Sequence, residues 1–162
     1  MTYNVLFLCT GNSARSIFAE AILSKIAGDR FRAFSAGSHP RGQVSPYALE
    51  VLQRLGHDTS NSRSKSWGEF ASPNAPSLDF VITLCDSLAN EDCPAWPGQP
   101  LTAIWAIADP AATAGTSEDI AWAFAQTYQL LNNRIALFAS LKMSGLDRIS
   151  LQQKVSDIQK PP

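Results

Sequence analysis

Short apolar runs alternate with helix-patterned segments along this chain. Residues 3–9 read as a buried parallel strand, and apolar residues from Phe18 to Ile26 then recur at helical spacing up to Gly28, where we expect a left-handed cap. Three further strands are predicted at residues 30–36, 78–84 and 101–105. Because strands alternate with helices, the pattern predicts an α/β fold with one parallel sheet, right-handed crossovers and helices on both faces.

Two further helical segments are predicted in the first half of the chain. Ser45 and Pro46 supply an N-cap and a first-turn proline for a helix through Leu55, which Gly56 closes. A short helix is expected over 65–71.

A long amphipathic helix is predicted after the capping residues 116–119. Its apolar face consists of Ile120, Phe124, Tyr128, Leu131, Ile135 and Phe138. We divide the chain into a main domain over 1–143 and a C-terminal extension over 144–162 that carries a short helix. Trp105 and Trp122 are expected in the core.

Ligands of parallel sheets bind at the carboxyl ends of strands, where Cys9, Cys85 and Asp109 all fall. The segment 9–16 follows an apolar run and opens a helix. Its Cys-x5-Arg-Ser spacing suits an oxyanion, because the amides curl around one tetrahedral ligand and the Arg15 guanidinium closes the ring with two hydrogen bonds. The predicted oxyanion-binding residues are Thr10, Gly11, Asn12, Ser13, Ala14, Arg15 and Ser16.

The field that holds an anion also stabilises a thiolate, which makes Cys9 the candidate nucleophile. Asn12 and Ser16 are natural turn and cap residues, and the side chains that shape the loop can also donate to the thiolate. Asp109 precedes Pro110 and would serve as a turn or cap residue on its own, but its predicted place across from Cys9 favours a general acid. The segment contains neither of the common glycine-rich nucleotide-binding patterns.

Composition excludes several classes of function. A length of 162 residues suits one domain, and a net charge of −1 with both signs scattered gives no footprint for nucleic acid or membrane surfaces. No apolar run approaches ~18 residues and the first residues lack a signal-peptide pattern, so we expect a soluble, monomeric protein of the cytoplasm. His39 and His57 have no paired ligand spacing, and no metal site is predicted.

Three cysteines are an odd number, which in a reducing compartment favours chemistry over structural disulfides. The seven residues between Cys85 and Cys93 are too polar for a core and too long for a metal knuckle. A mobile redox loop fits this spacing better. A disulfide requires its Cα atoms within ~7 Å, so pairing would need the loop to close by a conformational change.

Several segments together carry a resemblance to a known family. They are residues 5–16, 35–37, 83–85, 93–94 and 109–111. With them the chain resembles, over about 3–141, the arsenate reductases built on the low-molecular-weight tyrosine phosphatase fold. The anion loop alone is shared with phosphatases, whereas its combination with the downstream cysteine pair is specific to the reductases. The resemblance implies a sheet of four parallel strands flanked by helices and the reduction of arsenate by relayed cysteine chemistry.

The resemblance also implies a role for each cysteine. Cys9 attacks arsenate while Asp109 protonates the departing oxygen, Cys85 then attacks Cys9 to release arsenite, and Cys93 attacks Cys85 to leave a Cys85–Cys93 disulfide. No cofactor is bound, because electrons come from thioredoxin or a similar thiol reductant. Phosphate and sulfate would compete with arsenate for the loop.

The chain departs from the family pattern at three places. Ala14 stands where many relatives have a further cysteine, and the interval from Cys85 to Cys93 is one residue longer than in the best-known thioredoxin-linked members. Some relatives bind potassium through residues that match Asn12, Glu20 and Ser35. Arg63 and Lys65 stand where this chain would need the other ligands, and an ammonium group from Lys65 would replace the cation, so we expect no potassium site.

Two other functions stay open on the sequence alone. A tyrosine phosphatase would use only Cys9, Arg15 and Asp109, although Asp109-Pro110 is followed by two alanines rather than the aromatic pair that such phosphatases use. A thiol-based binder of arsenite or a metal ion would use the three cysteines and would leave Arg15 and Asp109 unexplained.

Overall fold

A computed structural model describes residues 2–85, 94–144 and 147–159. Its centre is one sheet of four strands in the order β2-β1-β3-β4, in which every neighbouring pair is parallel. The strands are β1 Tyr3–Cys9, β2 Phe31–Gly37, β3 Phe80–Thr83 and β4 Leu101–Ile104. The four-stranded parallel sheet is therefore confirmed. β3 is shorter than its apolar run because Leu78 and Leu84, although buried, lie outside the ladder.

Four α-helices accompany the strands in the described residues. They are α1 Arg15–Ala27, α2 Pro46–Arg54, α3 Ser117–Ala139 and α4 Arg148–Asp157. The segment predicted as a short helix over 65–71 forms a 3₁₀ helix at Trp67–Phe70, and a second 3₁₀ helix lies at Pro110–Ala112. No helix within the described ranges is both long and apolar enough to cross a membrane.

The helix ends test the predicted caps. Gly56 adopts φ +83 after α2, in the left-handed region as expected. Gly28 does not: its φ is −63, because the chain continues into a right-handed turn in which the Arg30 amide donates to the Ala27 carbonyl. At the start of α3, residues 116–119 cap the helix as predicted, and Thr116 and Asp119 do so as a reciprocal capping box.

The sheet is covered on both faces. Along β1, Val5 and Phe7 point into one core cluster, whereas Leu6 and Leu8 point into another, as strand alternation requires for a central strand. The first cluster takes the buried side chains of all four α-helices, and the second takes the 3₁₀ residue Phe70.

The two tryptophans that we expected in the core behave differently. Trp105 is fully buried and packs against Phe7 and Phe138. Trp122 is 67% exposed, and that prediction is wrong. It lies on α3 outside the periodic apolar face, where the helix points toward solvent.

α4 lies along the edge strand β4. Leu151 and Val155 are buried in the first core cluster. Toward β4, the Gln152 side chain donates to the Thr102 carbonyl, and Arg148 Nη2 donates to the Gln99 carbonyl at 2.6 Å. The helix thereby occupies backbone acceptors of an edge that would otherwise be open to another chain.

Candidate active site

Four of the five predicted catalytic residues, all but Cys93, lie together at the carboxyl edge of the sheet. Cys9 ends β1, Cys85 follows β3 and Asp109 follows β4. They border one cavity of ≈430 Å³. The cavity is lined by Cys9, Thr10, Gly11, Ser13, Ala14, Arg15, His39, Arg41, Cys85 and Asp109. The pocket therefore combines two thiols, two guanidinium groups and one carboxyl group.

The loop between β1 and α1 is held from outside by the segment after β2. Three of its carbonyls accept backbone hydrogen bonds: Thr10 from His39 at 2.9 Å, Gly11 from Arg41 at 3.0 Å and Ser13 from Ser45 at 2.9 Å. Carbonyl and amide groups of a peptide unit point in opposite directions, so these outward bonds favour inward amides. A side chain at Gly37 would place its Cβ 2.5 Å from the Thr10 carbonyl oxygen, so only glycine permits this close approach.

Asn12 organises the interior of the loop. It is fully buried with φ +44, a left-handed conformation that asparagine tolerates better than most residues. Its Oδ1 accepts from the Lys65 amide at 2.8 Å, which fixes the side-chain amide so that Nδ2 donates to Ser16 Oγ at 2.7 Å. Asn12 thus shapes the turn and also contacts a second polar residue of the loop.

Ser16 connects this network to the candidate nucleophile. Its Oγ lies 2.9 Å from the Sγ of Cys9, which is 2% exposed. Ser16 Oγ accepts from Asn12 and keeps its hydroxyl hydrogen, which can donate to the sulfur of Cys9.

Arg15 and Asp109 face each other across the pocket. Arg15 is 9% exposed, its Nη1 donates to the Ile107 carbonyl at 3.1 Å, and its Nη2 lies 3.7 Å from Asp109 Oδ2. Asp109 Oδ1 accepts from the Ala111 amide at 3.0 Å and caps the 3₁₀ helix. Asp109 therefore acts as a cap with one oxygen while the other points toward the arginine.

The second cysteine contacts the same loop. Cys85 is 5% exposed, and its Sγ lies 3.4 Å from Thr10 Oγ1. Thr10 follows Cys9 directly, so Cys85 contacts the residue next to the candidate nucleophile. Cys93, predicted as the final thiol, lies outside the described residues, and its pairing with Cys85 stays a prediction.

A buried ammonium group lies behind the loop. Lys65 is 8% exposed, and its Nζ donates to the Arg63 carbonyl at 3.0 Å and to Ser35 Oγ at 3.2 Å. Glu20 Oε1 lies 3.7 Å from Nζ and also accepts from the Ser35 hydroxyl. Burial lowers the pKa of Lys65, and the Glu20 carboxylate opposes that shift. The ammonium thus contacts two of the three residues that match potassium ligands in some relatives.

The two histidines lie in different surroundings. His39 borders the active-site cavity, which sequence reasoning did not predict. His57 Nε2 lies 2.6 Å from the Tyr128 hydroxyl. The pKa of His57 is lowered mainly by burial and, to a smaller extent, by the positive charge of Lys25. Within residues 2–85, 94–144 and 147–159, no three His, Cys, Asp or Glu side chains are grouped so as to hold a metal ion.

Sequence reasoning also missed Arg41 and the Ile107 carbonyl. Arg41 Nη2 lies 3.9 Å from Asp109 Oδ2, and its side chain is 58% exposed at the mouth of the cavity. Neither group belongs to a motif. Arg41 reaches the pocket because its backbone pairs with Gly11, a contact between segments far apart in sequence.

Comparisons with known proteins agree on one fold and differ in activity. A family model described as low molecular weight phosphotyrosine protein phosphatase matches residues 4–147. An arsenate reductase from Bacillus subtilis (strain 168) is 37% identical over 136 residues, which are 83% of this chain and 94% of that protein.

Solved structures give the same picture. A low molecular weight protein tyrosine phosphatase from T. tengcongensis has a TM-score of 0.66 at 27% identity, over 86% of this chain and 100% of that chain. A thioredoxin-dependent arsenate reductase from Corynebacterium glutamicum has a TM-score of 0.55 at 27% identity, over 85% of this chain and 63% of that chain.

Proposed function

The chain belongs to the low molecular weight phosphotyrosine protein phosphatase family, and because a relative of 37% identity is an arsenate reductase, we propose that this chain is an enzyme that reduces arsenate to arsenite with electrons from a dithiol protein. The observation that carries the proposal is that Cys9 and Cys85, both buried, border the same cavity as Arg15 and Asp109. Hydrolysis of a phosphate ester needs only one of these thiols, whereas reduction needs a second thiol within reach of the first.

Arsenate binding is assigned to the loop and Arg15. A tetrahedral dianion fits a cradle of backbone amides at the start of α1, where the helix dipole adds positive potential. The anchored guanidinium of Arg15 supplies two further donors in a fixed plane. Phosphate and sulfate have the same shape and charge, so they should compete for this site.

In the first step the Cys9 thiolate attacks arsenic. A sulfur–arsenic bond forms, and one arsenic–oxygen bond breaks as Asp109 transfers a proton to the departing oxygen, which leaves as water. Arsenic keeps its oxidation state in this step. Ser16 is placed to donate to the Cys9 sulfur before the attack.

In the second step Cys85 attacks the Cys9 sulfur. A Cys9–Cys85 disulfide forms, the sulfur–arsenic bond breaks, and its electron pair reduces arsenic to arsenite. Thr10 lies next to Cys9 and contacts Cys85, so its hydroxyl is placed to donate to the attacking sulfur.

In the third step Cys93 attacks Cys85 and frees Cys9 as a thiolate. Two thiols are then oxidised to a Cys85–Cys93 disulfide, which accounts for the two electrons that arsenic gained. A thioredoxin-type dithiol would reduce this disulfide and restore the enzyme. The thioredoxin dependence of the Corynebacterium glutamicum relative supports that class of donor.

The relay is tested with single cysteine variants. Wild type should produce arsenite from arsenate with thioredoxin, thioredoxin reductase and NADPH, or with a glutathione and glutaredoxin system. Cys93→Ser should release one equivalent of arsenite and then stop with a Cys9–Cys85 disulfide. Cys85→Ser should release none. Mass spectrometry of tryptic peptides after one equivalent of arsenate identifies each disulfide directly.

The same variants separate reductase from phosphatase. Both should keep slow hydrolysis of an aryl phosphate, because that reaction needs the loop and the acid with water in place of the second thiol. If both variants reduced arsenate through many cycles, or if wild type formed no Cys85–Cys93 disulfide, the relay would be rejected. Aryl-phosphate turnover with no arsenite from wild type would favour the phosphatase, and arsenite binding with neither activity would favour the thiol-based binder.

A further inference from the structure

The segment between β4 and the candidate acid is held by backbone bonds to the end of β3 and by side-chain bonds from other elements. Trp105 and Ile107 continue the sheet direction, with their amides donating to the carbonyls of Thr83 at 2.7 Å and Leu84 at 3.0 Å. Two residues beyond Ile107 the chain reaches Asp109. The position of residues 105–107 therefore decides where both the carboxyl group and the Ile107 carbonyl lie.

The C-terminal extension contacts this segment twice. Trp105 Nε1 donates to the Val155 carbonyl at 2.9 Å in the last turn of α4, and the Ala106 amide donates to Gln159 Oε1 at 3.3 Å just beyond it. Val155 is 1% exposed and Trp105 fully buried, so the first of these bonds is shielded from water. Both bonds come from the part of the chain that follows the family match, which ends at residue 147.

The third residue of the segment contacts the active site directly. The Ile107 carbonyl accepts from Arg15 Nη1 at 3.1 Å, and Arg15 Nη2 faces Asp109. A shift of residues 105–107 would therefore move the arginine's anchor and the acid together. In enzymes, a misplacement of about 1 Å can lower a rate by ~10²-fold.

From these contacts we propose that the C-terminal extension positions the active site: through Trp105 and Ala106, α4 and Gln159 fix the segment that orients Arg15 and presents Asp109. Trp105 and Gln159 are positioning residues, since neither borders the anion cavity. The inference rests on the proposed function, because it takes Arg15 as the anion ligand and Asp109 as the acid.

The alternative is that α4 only stabilises the fold by covering β4. Gln152 provides a control of the same residue type within the same C-terminal extension, because it lies on α4 and bonds to the Thr102 carbonyl, upstream of Trp105. A stabilising role predicts similar effects of Gln152→Ala and Gln159→Ala. A positioning role predicts that only Gln159→Ala and Trp105→Phe affect the chemistry.

The test compares two aryl phosphates in the full-length protein. A misplaced acid slows the loss of a poor leaving group such as phenol more than the loss of nitrophenol, which needs little protonation. For Gln159→Ala and Trp105→Phe, we expect kcat/KM to fall about tenfold with phenyl phosphate and less than about threefold with nitrophenyl phosphate. The dissociation constant of inorganic phosphate, measured by calorimetry, should rise in the same variants because Arg15 loses its anchor.

Thermal unfolding of each variant separates stability from positioning. Gln152→Ala should change the unfolding temperature with an unaltered ratio of the two substrates and unaltered phosphate affinity. If Gln159→Ala behaved like Gln152→Ala in all three measurements, the proposal would be overturned, even if Trp105→Phe failed to fold.

These readouts do not use arsenate, so a wild type that fails to reduce arsenate contradicts the proposed function without deciding this inference. Phosphate affinity decides it if aryl-phosphate turnover is too slow to measure.

Discussion

Two arginines approach the same oxygen of Asp109, yet they belong to regions built in different ways. Arg15 Nη2 lies 3.7 Å and Arg41 Nη2 3.9 Å from Oδ2. The side chain of Arg15 is 10% exposed and is anchored on the Ile107 carbonyl, whereas that of Arg41 is 58% exposed. The two guanidinium groups lie at similar distances from the carboxylate. They differ in burial and in the hydrogen bond that anchors Arg15.

The anion loop and the mouth of the pocket differ in the same way. In the loop, Asn12 and Ser16 are fully buried and bonded to each other, so the geometry exists before an anion arrives. At the mouth, Asp109 is about one third exposed beside Arg41. Preorganised groups in a dry site contribute more to catalysis than exposed charges, whose interactions water weakens. We therefore expect the largest losses from the loop and smaller ones from the mouth.

Cys9→Ser should cause the largest loss. An alcohol is hardly ionised at neutral pH, and no other part of the site can form the bond to arsenic, so arsenate and aryl-phosphate turnover should both fall to background, by as much as ~10⁶-fold. Phosphate affinity should persist because the loop amides and Arg15 are unchanged. Turnover near that of wild type would show that Cys9 takes no part in the chemistry, and it would contradict the larger losses expected from the loop than from the mouth of the pocket.

The two arginines test the comparison directly. Arg15→Lys should lower kcat/KM for arsenate by about 10²- to 10³-fold, because a point charge cannot reproduce two parallel donors held by the Ile107 carbonyl. Arg41→Lys is the matched control and should lower it by less than about threefold, since the charge is retained in water. Salt should slow binding more in wild type than in Arg41→Ala if Arg41 attracts the anion. Equal losses in the two lysine variants would contradict the role given to anchoring.

The anion loop was predictable from sequence because its chemistry is local. Residues 9–16 are consecutive, and the strand before and the helix after them follow from short apolar patterns. The same holds for the face of α3. The periodicity of α3 already placed Trp122 outside its apolar face. The prediction that Trp122 lies in the core was wrong because it relied on the residue type rather than on the position along the helix.

The mouth of the pocket was not predictable because its contacts are non-local. Arg41 is brought in by pairing with Gly11, and the Ile107 carbonyl offers no side-chain signal at all. Gly28 shows the limit of a local rule, since the turn that leads into β2 overrides the glycine's preference for a left-handed cap. Residue type gives the candidates, and tertiary contacts decide which of them meet.

Asp109→Asn should have an intermediate effect. The amide keeps the size and can still accept from the Ala111 amide, but it has no proton to transfer. The single-turnover rate of the first step should fall by about 10²-fold, with phosphate affinity unchanged within about threefold. Rapid-quench measurement of adduct formation checks the rate. Weaker binding with an unchanged rate would show that Asp109 acts only as the cap of the 3₁₀ helix.

Lys65 should have the smallest effect on turnover, because its ammonium supports the loop from behind. Lys65→Met removes the contacts with Ser35, Arg63 and Glu20 but keeps the backbone amide that Asn12 accepts from. Because Glu20 is partly exposed, water can solvate the carboxylate that loses its partner. We therefore expect Lys65→Met to lower the free energy of unfolding by about 1 to 3 kcal/mol and to change turnover by less than about threefold.

Two measurements extend the Lys65 prediction. Because burial lowers the pKa of Lys65 in the folded state, the unfolded chain binds this proton more tightly. Wild type should therefore gain stability relative to Lys65→Met as pH rises toward the ordinary lysine value of 10.5. Lys65→Ala, in contrast, leaves room beside the oxygens of Glu20, Ser35 and Arg63. Its unfolding temperature should rise with potassium, whereas wild type and Lys65→Met should not respond beyond the effect of sodium at equal ionic strength. A potassium response in wild type would contradict the replacement of the cation by the ammonium group.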